Sequence, residues 1–550
     1  MTRFPQAPTL DDPATRDGDA GFLGVNTRLA PESLPPGYVQ EAVNAVFRNG
    51  QISPRGGVHT PVWGRISSAI LGAGSFRDPI RGEEWTVLAT ASNVTLVAPG
   101  KTPRTVAIAT TTGTLAGKVS FCQAFDKLLL FVDGEVPMEW NGSETGNFSP
   151  VDIAPIAGTR RIASAATAEL LNDRLFVPHD RDYVSISDIG DYTRFGLLNK
   201  VRFNAGKDDA IARIFPFTRD NLLVFKGKSI FMLTGASGDL STLGVQLINP
   251  DLGCIAPRSV ASVGGDVLFL SATGVHRVTQ VVQERIQTAP VAVSAEIEQL
   301  LQRRVNWKSA DKAEGAVWGD YYYLAVPIDR STKNNAIFAY NLVSEKWEGI
   351  HTFPSTVGLD AFVFITYRGE RRLFAADFAQ GWLHLMYADR EDCLPSGAVA
   401  VQMDVTTRAY LAGAAGRKRW TVAQLATAEW KSSMAVTLIV DGVSETAPLY
   451  PNPLSRSRTA NTLASLGAWD STNSADDHGN AGRESYHVVC TIKCGSGIVL
   501  SREQDFTPRF PCAARGRTAA LRVQTTAGTA SIRAAGLEGF LIDRAFLPTS

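Results

Sequence analysis

The sequence is poor in cysteine: six residues in a chain of 550 exclude a disulfide framework. Cys490 and Cys494 are separated by three residues, not by the two of a C-x-x-C zinc knuckle, and no second knuckle follows. The neighbouring His487 and Cys512 do not supply the missing pattern. We therefore expect no metal site, and we expect free cysteines to be small buried side chains.

The sequence also lacks net charge and long apolar runs. Lys plus Arg and Asp plus Glu both total 54, so the formal net charge is zero. A protein that binds nucleic acid tightly through counterion release is usually basic. No stretch approaches the roughly 18 uncharged apolar residues of a membrane span. The N-terminus carries charges and prolines where a signal peptide needs an apolar centre. Tight DNA binding, a membrane span and Sec export are therefore not expected.

Catalytic motifs are missing as well. H-E-x-x-H, EF-hand and G-x-S-x-G patterns do not occur. Gly227-Lys228-Ser229 and Gly100-Lys101-Thr102 end like phosphate-binding loops, but Leu222 and Thr95 occupy the leading glycine positions. The histidines are scattered, and two of them lie inside strand patterns, where we expect structural roles: His276 and His384. We predict no enzyme activity, no catalytic residue and no cofactor.

What the chain does contain is a recurring β-hairpin. Between Asp266 and Gln280, two short apolar runs flank a turn at Thr273-Gly274. Looser copies follow one another at intervals of roughly forty to fifty residues, a period typical of propellers. The seven hairpins include Trp85–Val97, Leu128–Trp140, Leu175–Ile186, Leu222–Leu233, Tyr321–Tyr340 and Leu373–Met386.

These patterns predict a mainly β chain. Residues 1–20 form an extended arm and residues 21–62 an opening β module. Residues 63–390 form an irregular β-propeller of about six to eight blades. Residues 391–550 read as seven or so alternating strands of a β-sandwich-like domain, interrupted by a long polar loop at 451–483.

Local signals refine this outline. Asn49-Gly50 predicts a type I′ hairpin, and Tyr38–Val46 fits a short helix or a strand. Ser294–Val305 predicts a helix that Ser294 caps, with its apolar face formed by Ile297, Leu300, Leu301 and Val305.

Acidic residues near blade turns keep glycosidase activity as an alternative, because carboxylates from different blades can meet on a propeller axis. They are Asp133, Asp188, Asp191, Asp266, Asp320 and Asp377. We favour the simpler interpretation that aspartate suits turns. The blade aromatics are predicted to pack between blades rather than to stack on bases or sugars: Trp85, Trp140, Trp318, Tyr321, Tyr322, Tyr323, Trp347 and Trp382.

Several short segments, taken in order, resemble the β-propeller tail proteins of tailed bacteriophages, the nozzle or tail-tubular-B class and comparable tail-hub accessory proteins. In the opening module the segments are Gly24–Thr27, Pro31, Leu34-Pro35, Asn44, Gly50 and Arg55–Gly57. They continue with Ser185–Asp191 and Phe195, Gly253–Val260, Val267–Leu270, Thr273–Val275, the helix expected at Ser294–Val305, Tyr323–Pro327 and Tyr340-Asn341. The last are Arg515–Arg517, Leu521–Val523 and Gly536–Gly539. No single segment is diagnostic. The loop at 451–483 departs from the family.

The resemblance implies a virion structural protein, made in the host cytoplasm and located in the phage tail. It implies a homo-oligomeric ring of six copies around the channel for DNA ejection, between the head-tail adaptor and distal tail parts or fibres. We expect the arm and the long loop at subunit or partner contacts. Three alternatives stay open: a peripheral fibre-attachment or receptor-facing propeller, a carbohydrate-active propeller enzyme, and a cellular propeller scaffold.

Overall fold

The computed structural model describes residues 15–60, 65–66, 69–79, 81–108, 114–143, 146–151, 167–204, 209–281, 285–288, 292–413, 416–444, 498–502 and 509–541. The loop predicted at 451–483 and the Cys490–Cys494 pair lie outside the described residues. Contacts divide the chain into two units. Unit 1 comprises Met1–Gly57, Ala339–Thr352 and Asp389–Ser550, and unit 2 comprises Val58–Phe338 and Phe353–Ala388.

Unit 2 contains the predicted β-propeller. Five blades are complete four-stranded antiparallel sheets in which the strands follow chain order. They are blade 1 (Gly72–Arg77, Glu84–Ala89, Asn93–Val97, Arg104–Ala107), blade 2 (Val119–Ala124, Lys127–Val132, Met138–Trp140, Ser149–Pro150), blade 3 (Glu169–Leu171, Arg174–His179, Tyr183–Ile186, Lys200–Arg202), blade 4 (Ile211–Pro216, Asn221–Lys226, Ile230–Thr234, Gly244–Asn249) and blade 5 (Ala261–Val263, Asp266–Ser271, Gly274–Val281, Arg285–Thr288).

Two further blades complete the array. Blade 6 begins with Glu314–Trp318 and Tyr321–Val326, and its chain continues through Ala336–Asn341. Blade 7 contains Ala361–Tyr367, Glu370–Asp377 and Trp382–Asp389. The predicted hairpins of blades 1–5 and 7 are each a second and third strand of a blade, which confirms the repeat.

The first strands of the blades form a closed ring. Contacts join the first strands of blades 1 and 2, 2 and 3, 3 and 4, 5 and 6, 6 and 7, and 7 and 1. Blades 4 and 5 share an apolar cluster that includes Phe225 and Phe269. The start of unit 2 also binds the last blade, since the amide of Ile66 donates to the carbonyl of Gly381 at 2.9 Å. The propeller therefore has seven blades, and the first strand of each lies nearest the axis.

Packing between blades explains why these small sheets are stable together. Trp140 and Phe148 of the blade 2 region pack with Phe76 of blade 1, and all three are buried. Blade 7 packs against blade 1 through side chains such as Phe374 and Leu88. Burying one such large apolar side chain stabilises by roughly 1.5–3 kcal/mol, so each blade depends on its neighbours. The aromatics of this interface are packing residues, as predicted.

Unit 1 pairs an N-terminal segment with a C-terminal one. The described part of the predicted arm contains a strand at Thr15–Asp19, which pairs with Ala535–Gly539, and residues 1–14 of the arm lie outside the described residues. The remaining strands outside the long pair described next are Gly24–Val25, Tyr38–Val43, Ala45–Arg48, Gln51–Pro54, Lys346–Thr352, Glu391–Leu394, Gly397–Ala400, Asp404–Thr407, Val443–Ser444, Ile498–Arg502 and Arg509–Gly516. The strand Gly57–His59 begins at the last residue of the first segment of unit 1, and its other two residues belong to unit 2. Sequence analysis placed the opening module and the C-terminal domain apart; their contacts put them in one unit.

Two strands of 23 residues, Lys418–Val440 and Ala519–Leu541, dominate the C-terminal part of unit 1 and pair antiparallel. The prediction of separate strands here was wrong. Register shifts at Trp420/Val422, Ala426/Thr427 and Thr427/Trp430 interrupt the alternation, so one strand reads as two in sequence. Such bulges let a strand bend between the layers of a sandwich-like domain.

The local predictions had mixed outcomes. Asn49 and Gly50 both have positive φ, 52° and 73°, as a type I′ turn requires. Tyr38–Val46 is not helix, because the strands Tyr38–Val43 and Ala45–Arg48 meet there at a bend at Asn44. The predicted helix is a 3-10 turn at Ala295–Ile297 followed by an α-helix at Glu298–Arg304, but Ser294 does not cap it, since its hydroxyl accepts the Val275 amide at 2.9 Å. The other 3-10 turns are Pro31–Ser33, Leu240–Thr242, Pro257–Ser259 and Trp307–Lys312.

No helix among the described residues is both long and apolar enough to cross a bilayer.

Candidate functional site: charged side chains on the propeller axis

A charged residue lies within three residues of the start of the first strand in each of six consecutive blades, from blade 2 to blade 7. We call these six residues the axial cluster: Lys118, Glu169, Arg213, Arg258, Glu314 and Asp360. Because the first strands surround the axis and run in the same direction, their beginnings meet at one end of it. The positive charges of Arg258, Arg213 and Lys118, from three other blades, each act to lower the pKa of Glu314.

Arg258 reaches across the axis. Its Nη2 donates to the carbonyl oxygen of Val119 in blade 2 at 3.4 Å, and its Nη1 lies 3.9 Å from the Oε2 of Glu314 in blade 6. Its guanidinium carbon lies 5.9 Å from the ring centre of Phe378, beside blade 7. One side chain of the blade 5 entry thus reaches three other blades at this end of the axis.

Arg213 forms a second link around the ring. Its Nη2 lies 3.5 Å from the Oε1 of Glu169 in blade 3, and its Nη1 donates to the carbonyl oxygen of Pro257 at 3.3 Å. Its Nε is buried without a hydrogen-bond partner among the described residues. The pair therefore joins blades 3, 4 and 5 around the axis.

Burial sets the protonation of the cluster. It raises the pKa of Glu314 to about 7, an effect that Arg258 only partly offsets, and the Phe362 amide donates to its Oε1 at 3.4 Å. Burial also raises the pKa of Glu169 and that of Asp360. It lowers the pKa of the half-buried Lys118, which Arg258 lowers further by repulsion. All four shifts favour the uncharged form, as expected where water is excluded.

The raised pKa of Glu314 makes a prediction about stability. Its ordinary value is 4.5 and its value in the folded protein is about 7, so between these pH values the unfolded chain binds fewer protons. Native stability therefore falls as pH rises through this window. Glu314→Gln, which cannot ionise, is expected to gain about 2 kcal/mol relative to the native protein between about pH 5 and pH 8. Urea unfolding at both pH values measures this gain.

Asp320→Asn, in the exposed turn of the same blade, is the matched control and should show no such change. If Glu314→Gln changes the free energy of unfolding by the same amount at both pH values, this carboxylate does not lie in a site from which water is excluded.

The arrangement fits ring closure better than catalysis. A glycosidase needs two carboxyl groups that flank a substrate. In this cluster Glu314 is engaged by Arg258 and the Phe362 amide, Glu169 by Arg213, and Asp360 accepts the Phe378 amide at 2.9 Å.

The acidic residues singled out in the sequence do not belong to this cluster. Asp377 accepts the amides of Ala379 and Gln380, Asp191 accepts from Thr193, and Asp188 pairs with Arg194 at 3.1 Å. Asp266 lies 3.7 Å from Arg277. Asp133 and Asp320 are exposed in turns. The interpretation of the partnered residues as local turn and strand residues agrees with these contacts.

The other residues considered in the sequence have structural surroundings. Lys228 lies in a turn between two strands of blade 4 and does not open a helix. His276 shares a hydrogen bond with Thr273 at 2.9 Å, and burial lowers the pKa of His384 to about 4. Cys122 and Cys254 are buried, and burial raises the pKa of their thiols to about 12 and about 11. Within the described ranges, no three His, Cys, Asp or Glu side chains are grouped to hold a metal.

Sequence analysis missed the axial cluster. It counted the hairpins of the second and third strands, whereas the cluster lies at the first strands, of which Glu169–Leu171 has only three residues. The available signal was a charged residue close to the start of each of these first strands.

Comparisons with known proteins concern the fold alone. No protein-family model matches the chain, and no curated protein does. Among solved structures, it is similar to the WD40 β-propeller domain of Doa1, with 8% identity over 60% of this chain and 96% of that one and a TM-score of 0.38. It is also similar to the β-propeller domain of Cps50 (Swd1) from Myceliophteria thermophila, with 10% identity over 61% and 100% and a TM-score of 0.38. A third is BBS1N in complex with ARL6DN, with 12% identity over 61% and 98% and a TM-score of 0.39.

Proposed function

We propose that this protein is a structural component of a bacteriophage tail, a nozzle or hub that forms a homo-oligomeric ring around the channel for DNA ejection. Six copies are expected from the resemblance. The ring would link the head-tail adaptor to distal tail parts or fibres. The proposal assigns the chain an assembly role and no chemistry of its own.

The observation that carries the proposal is a buried network in unit 1. Asn44 and Arg55, two residues of the segments that resemble tail proteins, bond to each other through Arg55 Nε and Asn44 Oδ1 at 3.0 Å. Arg55 also donates to both carboxylate oxygens of Asp392, at 2.9 and 2.8 Å. The resembling residues are thus buried structural partners, as expected of a family whose shared residues build a scaffold.

The first and last resembling segments lie in the same unit. Gly536–Gly539, from the C-terminal end of the resemblance, pairs with the N-terminal strand at Thr15–Asp19. Ile52 of the opening module pairs with Ile532 of the second long strand. A resemblance spread over most of the chain is therefore consistent with one assembled architecture.

Contacts across one end of the propeller axis support a route for DNA outside the propeller. Arg258 reaches blades 2 and 6 there, and the proposed conduit would be enclosed by several copies together. Equal numbers of acidic and basic residues suit such a conduit, because a basic lumen would hold DNA by phosphate neutralisation. Rotationally closed contacts between copies make rings of this kind.

Mass spectrometry of purified phage particles tests the proposal. A ring component is expected in each particle at several copies, in a fixed ratio to the adaptor. Absence from particles, or cleavage of glycans by the purified chain, would instead favour the cellular scaffold or the carbohydrate-active enzyme. Detachment together with the fibres on mild dissociation would favour the peripheral alternative.

A further inference from the structure

Exposed large apolar side chains form two main groups among the described residues, one on each unit. The first group lies at the outer edge of blades 3 and 4, and Leu198 in it is 90% exposed. We call this group the rim patch: Ile189, Leu197, Leu198, Val245 and Leu247. Apolar side chains gathered in this way on a water-facing surface mark an interaction site, whereas isolated ones do not.

The rim patch is built on ordered backbone. Its first three side chains lie in a loop of blade 3 in which the amide of Asp188 donates to the carbonyl of Arg194 at 2.8 Å. The other two lie in the fourth strand of blade 4, the open edge of its sheet, which has no charged residue. Charged side chains are a usual protection of such edges. The two parts adjoin, because Val201 and Leu243 pack against one buried cluster.

The second group lies on unit 1. We call it the loop patch: Leu23, Leu29 and Val343. Leu23 and Leu29 belong to one loop, which is closed by the bond from the Leu23 amide to the Gly37 carbonyl at 2.8 Å. Val343 is 77% exposed and lies in the turn before the strand Lys346–Thr352, which contacts the strand Gly24–Val25. Two different apolar surfaces on one chain are what a head-to-tail contact between copies requires.

The charges beside the two patches are complementary. Asp191 and Lys200 flank the rim patch, and Arg28 and Glu32 flank the loop patch; all four are exposed. None of the four forms an ion pair among the described residues. Docking of one patch on the other offers each of these charges an opposite one, Lys200 with Glu32 and Asp191 with Arg28. Such matching of charges sets the specificity of protein interfaces.

We propose that the rim patch docks on the loop patch of a second copy of this chain. The contact covers both apolar groups, and Lys200 of one copy pairs with Glu32 of the next. Because the two patches differ, the contact is heterologous and repeats from copy to copy, which closes into a ring when the rotation allows. The inference names the contact inside the ring of the proposed function, and it rests on that proposal.

Sedimentation velocity of the purified full chain over a range of concentrations tests the contact. Self-association is expected with a dissociation constant of roughly 10 µM, as for an interface of modest area. Lys200→Glu and Glu32→Lys each bring like charges together and should weaken association by about tenfold or more. The double variant reverses both charges and should restore association to within about threefold of the native chain. Leu198→Ser should weaken it about tenfold, because an apolar anchor is lost.

Lys308→Glu and Glu298→Lys are the matched controls, since they reverse exposed charges outside both patches, and both should associate as the native chain does. Circular dichroism checks that each variant is folded, and rescue by the double variant cannot come from a damaged fold. A native chain that stays monomeric overturns the inference. So do single reversals that associate as the native chain does, or a double variant that is not restored.

Failure of this contact and failure of the tail role give different results. Self-association that the double variant restores, in a chain absent from purified phage particles, would contradict the tail role and leave the contact standing. A chain present in particles in a fixed ratio, whose association the single reversals do not change, would contradict the contact alone.

Discussion

Arg55→Met is expected to lower the free energy of unfolding of unit 1 by about 4 kcal/mol, because breaking a buried ion pair from one side leaves its partner charge in the interior. Arg55 and Asp392 have side chains only 1% and 3% exposed, and they meet through two parallel hydrogen bonds. Arg55 Nη2 also donates to the carbonyl oxygen of Thr352 at 2.7 Å. The substitution removes bonds to residues 297 and 337 positions away in sequence.

Differential scanning calorimetry of the full chain, with urea unfolding, measures the effect. Arg28→Met is the matched control, because Arg28 is an exposed arginine of the same module. The double variant Arg55→Met, Asp392→Leu should be destabilised less than the single variant, since replacing both charges by apolar groups removes the unpaired carboxylate. A loss below about 1 kcal/mol in Arg55→Met would show that this network does not hold unit 1 together.

Lys226→Met is expected to destabilise the propeller by about 3 kcal/mol for a related reason. The Lys226 side chain is fully buried, and its Nζ donates to Asp182 at 2.9 Å and to the carbonyl oxygen of Phe203 at 3.1 Å. It also lies 3.3 Å from Asp209. The ammonium therefore joins blade 4 to blade 3, and methionine fills the space without supplying a donor.

The acid dependence of this effect follows from Asp182. The hydrogen bond from Lys226 lowers the pKa of Asp182 from its ordinary 3.8. That contribution to stability is present above about pH 4 and is lost as pH falls through the lowered pKa. The difference between Lys226→Met and the native protein should therefore shrink in acid.

Thermal unfolding and hydrogen exchange in blades 3 and 4 measure the loss. Lys228→Met, two residues away and exposed, is the control and should leave stability within about 0.5 kcal/mol. Equal stability of the two variants would contradict the assignment of Lys226 as an inter-blade link.

The sequence predicted the propeller because hairpins leave local signals. A run such as Asp266–Ser271, a tight turn and Gly274–Val281 can be recognised within one window of residues. The long strands of unit 1 were harder, since bulges such as that at Ala426/Thr427 change the face on which apolar residues fall. A strand whose apolar residues change face at a bulge therefore looks like two strands in the sequence.

The axial cluster and the joined chain ends could not be derived in the same way. Lys118 and Glu314 are nearly 200 residues apart, and each alone reads as an ordinary surface charge. Only closure of the seven blades brings them into one space that excludes water, where burial shifts their pKa values. Arg55 and Asp392 likewise carry no pairing signal in a single sequence. Polar contacts between residues far apart in the chain leave no periodic pattern in the sequence from which they could be predicted.

Electron cryomicroscopy of assembled phage tails that carry a tagged copy of this chain tests the central claim most directly. The account predicts several copies arranged in a rotationally symmetric ring, with the DNA channel running between seven-bladed propellers. Tags found only at the fibre periphery, or tails that are complete without this chain, would contradict it.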